Sequence, residues 1–419
     1  MSAAADLTHD VRELEQQMRA LRGDFPALHQ SVNEHPLVFL DSAASSQRAQ
    51  PVIDAVTHYE THDHANVHRG VHTLSHRATS AYEGARETVR DFIGAASINE
   101  IIFTRGTTEG INLVAQSFVA PRLKAGDEIV ITHLEHHANI VPWQMLAATH
   151  DITLRVAPVN DDGSVDTNAV IELLNERTVM LAISAVSNAL GTILPLGDII
   201  PTARAAGIPV LVDGAQAVPH SHVDVVALDA DFFVFSAHKM CGPTGVGVLY
   251  GREALLDAMP PWQGGGDMIR EVSFAGTTYN DLPYKFEAGT PNISGVVGLG
   301  AACDYLSAVG MQRIADYEHW LLEQLTTRLQ PMDDIRIVGT APRKAAVVSF
   351  VMRDVHPHDL GTIVDQKGVA IRTGHHCAMP VMDRFDVPGT ARASMAFYNT
   401  LEDIEALVAA LDVVRRMFH

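Results

Sequence analysis

From about residue 50 to residue 300, short apolar runs alternate with longer amphipathic stretches. Glu100–Phe103, Glu128–Ile131, Val179–Ile183, Val210–Asp213, Phe232–Phe235 and Val246–Tyr250 read as strands with no polar face. Helical spacing fills Thr107–Phe118 and Ile140–Thr149 between them. That alternation predicts an α/β fold, a mostly parallel sheet covered by helices on both faces. Before it, Asp10–Arg22 has Val11, Leu14, Met18 and Leu21 at helical spacing, and Leu37–Leu40 reads as a short strand. After Gly300 the texture changes. A long helix over Ala301–Leu329, broken near Gly310, leads to a smaller α+β region with strands at Ala345–Val351, Val369–Arg372 and Thr390–Phe397. A last helix follows a Thr400 cap, with Leu401, Ile404, Leu407, Leu411 and Val414 on its apolar stripe.

The expected organisation is a segment 1–34 packing with the small domain, a large domain 35–300 and a small domain 301–419. No repeat and no Gly/Ser linker separates the two domains, so they should pack firmly with a cleft between them. Composition narrows the function. Lys and Arg number 30 against 50 Asp and Glu, a net charge of -20, and such a surface repels a polyanion, so no nucleic-acid partner is expected. No apolar run reaches the roughly 18 residues that span a bilayer, so no membrane role is expected. Met1–Gln17 is polar and acidic, unlike a signal peptide. Three cysteines in 419 residues make no disulfide framework. A cytoplasmic, reducing location is expected, and each cysteine is a candidate thiol.

Candidate chemistry gathers where apolar strands end. Lys239 stands just past Phe232–Phe235 and just before a glycine-rich turn, where lost hydration lowers an amine's pKa and makes it nucleophilic. Such a lysine can hold pyridoxal 5'-phosphate (PLP), although a strand-end lysine standing alone more often snorkels to solvent. Other parts of a PLP site accompany it. Arg105–Asn112 opens a helix with Thr107 and Thr108, an anion cradle. Asp213 ends a buried strand, where a protonated pyridine nitrogen would offset its charge. Gln216 could reach the ring's phenolic oxygen, and His136, in Glu135–Asn139, could stack on the ring. Asn188 lies in a further post-strand loop.

The chain resembles the SufS-type, group II cysteine desulfurases, class V aminotransferase-group members of the fold-type-I PLP enzymes. The resemblance rests on Leu40–Ser45, Val67–His72, Arg105–Asn112, Glu135–Trp143, Val212–Ala217, Ser236–Thr244, Phe286–Pro291, Arg372–Met379 and Arg392–Ser394. It implies a large domain with a seven-stranded sheet and a small domain carrying the catalytic cysteine loop. It implies an aldimine at Lys239, Asp213 on the pyridinium, Gln216 on the phenolic oxygen and His136 stacked on the ring. Thr107, Thr108, Ser236 and His238 are implied phosphate ligands, with Thr290 supplied by the other subunit of a homodimer. Met268–Phe286 matches a hairpin reaching toward that subunit. Asn188 and Arg392, with Arg372 nearby, are implied to hold the substrate carboxylate.

Cys377 lies in Thr373–Pro380 among small, polar and histidine residues beside Arg372, a setting that favours thiolate. Cys303 and Cys241 read as packing residues. By resemblance Cys377 takes sulfur from L-cysteine as a persulfide and L-alanine leaves. Lys239 is the implied base and His136 a proton carrier. Iron–sulfur cluster assembly through the SUF system is the implied role. The loop is short, so a docking acceptor protein is implied. His358 begins a small-domain helix; by resemblance it enters the zinc site of a SufU-type acceptor, favoured over a SufE-type one, and no metal is expected in the isolated enzyme. Selenocysteine lyase and cysteine sulfinate desulfinase remain alternatives. So does a histidine-rich metal-binding protein, because His64, His68, His72 and His76 fall four apart, although Gly70 interrupts that spacing.

Overall fold

The apolar runs assemble into one seven-stranded sheet in the computed structural model, which describes residues 13–418. In spatial order its strands are Ile101–Thr104, Gly247–Gly251, Phe232–Ser236, Val210–Asp213, Thr178–Ser184, Asp127–Thr132 and Ile152–Ala157. Gly247–Gly251 runs antiparallel to both its neighbours, and the other pairings are parallel. The fold is therefore the α/β arrangement that the alternation predicts. Because all the other strands point one way, the loops after Thr104, Thr132, Ser184, Asp213 and Ser236 leave from the same edge of the sheet. Ligands of open α/β sheets bind at that edge.

Val210–Asp213 and Phe232–Ser236 are buried at every position. Helices cover both faces, so no alternation of polar residues is needed. Ile152–Ala157 was not among the clear runs. It is an edge strand, half open to solvent, and Thr153 and Arg155 interrupt its apolar pattern. The helix expected over Thr107–Phe118 is α-helical at Thr107–Leu113 and continues as wider π turns over Val114–Val119.

Beyond the sheet, two helices occupy Ile293–Val309 and Met311–Leu329, broken at Gly310, whose φ of 94° suits glycine. The first starts earlier than the sequence suggested, because the Asn292 side chain caps it by accepting from Gly295 N at 3.0 Å. Residue 300, the expected domain boundary, lies inside this helix. There a Cβ on Gly300 would sit 2.8 Å from Ala85 Cβ of helix Thr73–Phe92.

A four-stranded antiparallel sheet follows, ordered Ile335–Val338, Val347–Met352, Thr390–Ser394 and Arg372–Gly374. The expected strand Val369–Arg372 is split between two sheets. Val369–Ala370 pairs in parallel with Val38–Phe39, and Arg372–Gly374 joins the four-stranded sheet. The N-terminal helix occupies residues 13–21 and packs Leu14, Met18 and Leu21 against the core. Val11 lies outside the described residues. Arg22 ties this segment down through Asp403 Oδ2 and Tyr398 O, both at 2.9 Å. No single helix among the described residues is long and apolar enough to cross a membrane.

Candidate active site

The strand-end loops close around a cavity of about 180 Å³. Lys239 ends a single 3-10 turn, Ala237–Lys239, directly after its buried strand. Burial lowers its amine pKa, and Asp213 opposes that fall. For Asp213 the balance is reversed: burial raises the carboxyl and Lys239 lowers it. Asp213 Oδ1 accepts from Ala215 N at 3.0 Å. Only glycine fits after Asp213, because a Cβ on Gly214 would lie 1.9 Å from the Phe233 ring.

Thr107, Thr108, Ser236 and His238 line one end of the cavity. Thr107 N donates to Ser236 Oγ at 2.8 Å, and the two hydroxyls lie 2.8 Å apart. Amides and hydroxyls at a helix start suit an anion. Burial, then Lys239, pulls the His238 pKa down to about 4. His136 Nδ1 accepts from Ala138 N at 3.0 Å, which fixes the ring against the wall. Burial, then Lys239, lowers its pKa to about 3, so the ring is neutral with its proton on Nε2.

At the other end, Arg392 is buried. Its Nη1 donates to Asn188 O at 2.8 Å and its Nη2 to Asp41 Oδ1 at 3.0 Å, while its Nε is buried without a partner. Asp41 also lies 3.6 Å from Arg372. The structure thus brings Asn188, Arg372 and Arg392 to one cavity wall, as the sequence suggested, and adds Asp41 as the anion that holds the two guanidiniums. Asp41 sits in the block Leu40–Ser45, the one signal in the sequence that marks it.

Cys377 is exposed at the cavity mouth. Its loop is only residues 375–378, between strand Arg372–Gly374 and helix Met379–Arg384. Cys241 and Cys303 are buried, and burial pushes the Cys241 thiol up to about 12 and Cys303 higher still. The packing role expected of both agrees with this. His376, flanking Cys377, was not singled out. It is buried in the cavity wall, with Nε2 2.7 Å from Thr390 Oγ1.

Three expected residues lie outside this cavity, and of these only Gln216 departs from its expected place. Gln216 does not line the cavity: its Nε2 donates to Ala43 O at 2.6 Å and its Oε1 is buried without a partner. The donor expected to meet a ring oxygen is thus directed to the chain's own backbone at Ala43. Thr290 is exposed and lines a separate recess with Arg105 and Glu287, not the cavity of its own chain. His358 stands exposed on the first turn of helix Pro357–Asp365. That helix packs on the cysteine strand, since a Cβ on Gly361 would meet Thr373 Cγ2 at 2.7 Å. The histidine spacing makes no helical stripe, because His68 has a left-handed φ of 69° and His72 caps the next helix.

Residues 38–407 match the aminotransferase class-V family. The chain belongs to that family. A cysteine desulfurase of Serratia proteamaculans is 52% identical over 95% of this chain and 98% of its own length. One from Dickeya dadantii is 53% identical over 95% and 96%. A third, from Synechococcus elongatus, is 53% identical over 93% of this chain, which spans 62% of that longer protein. Among solved structures, the cysteine desulfurase CsdA of Escherichia coli, in an S-sulfonic acid form, superposes with a TM-score of 0.89 at 40% identity, covering 96% of this chain and 99% of that one. A Thermococcus onnurineus cysteine desulfurase gives 0.90 at 38%, covering 95% and 98%.

PLP is the cofactor of this family, and the residues present fit it. A buried carboxylate whose partners are Lys239 and the Ala215 amide suits a protonated pyridine nitrogen. The Thr107–Ser236 cluster suits a phosphate, and the neutral His136 ring suits the face of a flat cofactor. Among sequence-predicted residues, Lys239, Cys377, His136, Asp213, Thr107, Thr108, Ser236, His238, Asn188, Arg372 and Arg392 share one cavity.

Proposed function

We propose that this chain is a cysteine desulfurase that converts L-cysteine to L-alanine and carries the sulfur as a persulfide on Cys377. One observation carries the reading: the exposed Cys377 opens into the same cavity as the half-buried Lys239 and the buried Asp213. PLP, when bound, withdraws electrons from the substrate's Cα and so activates its neighbouring bonds. Burial lowers the Lys239 amine's pKa, which favours the free base that would take the Cα proton at Nζ. Asp213 would keep the pyridine nitrogen protonated. Thr107, Thr108, Ser236 and His238 would hold the phosphate. Arg392, whose Nε has no protein acceptor, would with Arg372 and Asn188 hold the substrate carboxylate. Cys377 Sγ attacks the substrate sulfur: an S–S bond forms and the C–S bond breaks. The electron pair stays with the three-carbon fragment, which gains a proton and leaves as alanine. His136, which lines the same cavity, would carry protons between the reacting groups.

The reading extends to the SufS-type branch, serving iron–sulfur cluster assembly in the cytoplasm. The short loop supports this, because it cannot carry sulfur far and needs an acceptor that docks. All three cysteines are free, which suits a reducing compartment. A homodimer is supported by the hairpin Ile269–Ser273 and Gly276–Tyr279, which exposes Val272, Phe274 and Tyr279, and by Thr290 standing outside its own cavity. A SufU-type zinc acceptor is supported by His358, whose exposed imidazole rides on the helix packed against the cysteine strand. Pure protein incubated with L-cysteine should yield alanine and protein persulfide in step, faster with a zinc acceptor than with a zinc-free one. Alanine without persulfide, or no alanine, would reject the reading.

A further inference from the structure

Cys377 sits between two buried neighbours, His376 at 5% exposure and Ala378 at 0%. His376 and Cys377 both have φ of 54°, a left-handed backbone that side-chain-bearing residues avoid. Such strain persists only where the surroundings hold it. Three contacts hold it here. Asn188 Nδ2 donates to His376 O at 2.6 Å. His137 N donates to Cys377 O at 2.8 Å. Met379 N donates to His137 Nε2 at 3.0 Å. His137 therefore grips the loop twice, once by its backbone and once by its ring, from outside the cavity that its neighbour His136 lines.

We propose that His137 is a positioning residue for the thiol, clamping residues 377–379 so that Cys377 Sγ stays at the mouth of the cavity. The proposal rests on Cys377 being the sulfur acceptor. The clamp requires Nε2 as an acceptor, which places the ring proton on Nδ1 of a neutral imidazole. Burial, then His375, lowers the ring's pKa and keeps that form. The two adjacent histidines thus divide the work. His136 uses Nδ1 to fix its own turn, and His137 uses Nε2 to fix the cysteine loop.

The test compares His137→Leu with His137→Gln, whose Oε1 can take the place of Nε2 as acceptor. Holoenzyme of each is assayed for kcat and KM with L-cysteine, and Cys377 alkylation by iodoacetamide is followed by mass spectrometry. In His137→Leu, kcat should fall roughly 10- to 100-fold, the loss that misplacing a reacting atom by about 1 Å produces, with KM and cofactor absorbance unchanged. Its Cys377 should be alkylated severalfold faster than the wild type's. His137→Gln should restore most of kcat and the slow alkylation. Wild-type kcat and alkylation in His137→Leu, or a Gln variant as impaired as the Leu variant, would overturn the clamp. Cys377→Ser run alongside separates the two claims. Persulfide formation in that variant would reject Cys377 as acceptor, while the alkylation rates would still decide the clamp, because they do not depend on turnover.

Discussion

Lys239 stands at the end of a strand buried at every position, whereas Cys377 stands exposed in a loop of four residues held by hydrogen bonds from Asn188 and His137. At the cavity floor, burial does the tuning. It lowers the Lys239 amine, raises the Asp213 carboxyl and keeps His136 neutral. At the rim, burial would defeat the purpose, as Cys241 demonstrates: a thiol pushed up to about 12 is inert near neutral pH. The rim relies instead on strained backbone and a few directed bonds. Groups that move protons repeatedly gain from a rigid, dry setting. A sulfur that must be handed to another protein gains from access, and its placement then depends on contacts that one substitution can remove.

The largest effect should come from breaking the floor. Lys239→Ala should lower alanine formation by at least about 10²-fold through the lost proton carrier alone, with the fold intact by circular dichroism. Substantial turnover in that variant would move the base elsewhere. Breaking only the rim should separate binding from transfer. Cys377→Ser should bind cofactor and L-cysteine, visible by absorbance, yet form no persulfide, because a hydroxyl cannot replace thiolate. Cys241→Ala and Cys303→Ala should still form persulfide and cost about 1 kcal/mol of stability each, measured by denaturant unfolding.

Glu135 sharpens the claim that burial governs the floor. It is fully buried, accepts from Thr132, Ser184 and Asn139 through its two oxygens, and burial raises its pKa to about 7 from an ordinary 4.5. The folded state thus binds this proton more tightly than the unfolded chain. The stability it contributes is complete below pH 4.5 and is lost as pH rises through about 7. The loss amounts to roughly 3 kcal/mol. Glu135→Gln should flatten the fall of Tm across that window, and an unchanged slope would contradict the burial argument. The smallest effect on basal turnover belongs to His358→Ala, far out on the rim side. Stimulation by a zinc acceptor should disappear while basal rate serves as the internal reference; full stimulation would remove His358 from the interface.

The apolar strands, the lysine and aspartate at their ends, and the packing roles of Cys241 and Cys303, in contrast to an accessible Cys377, were all legible in the sequence. Each follows from local pattern: a strand buried on both faces must be apolar throughout, and a charged residue at its end then has few roles. Tertiary structure alone decided the partners. Asp41 meets Arg392 across 351 positions and Met379 meets His137 across 242. Gln216 spends its amide on Ala43, and Val369–Arg372 divides between two sheets. Local periodicity reports which face of an element is buried but not what lies against it. Hydrogen-bond partners and left-handed turns such as His376–Cys377 are chosen only when distant segments are brought together by the packing of the whole chain.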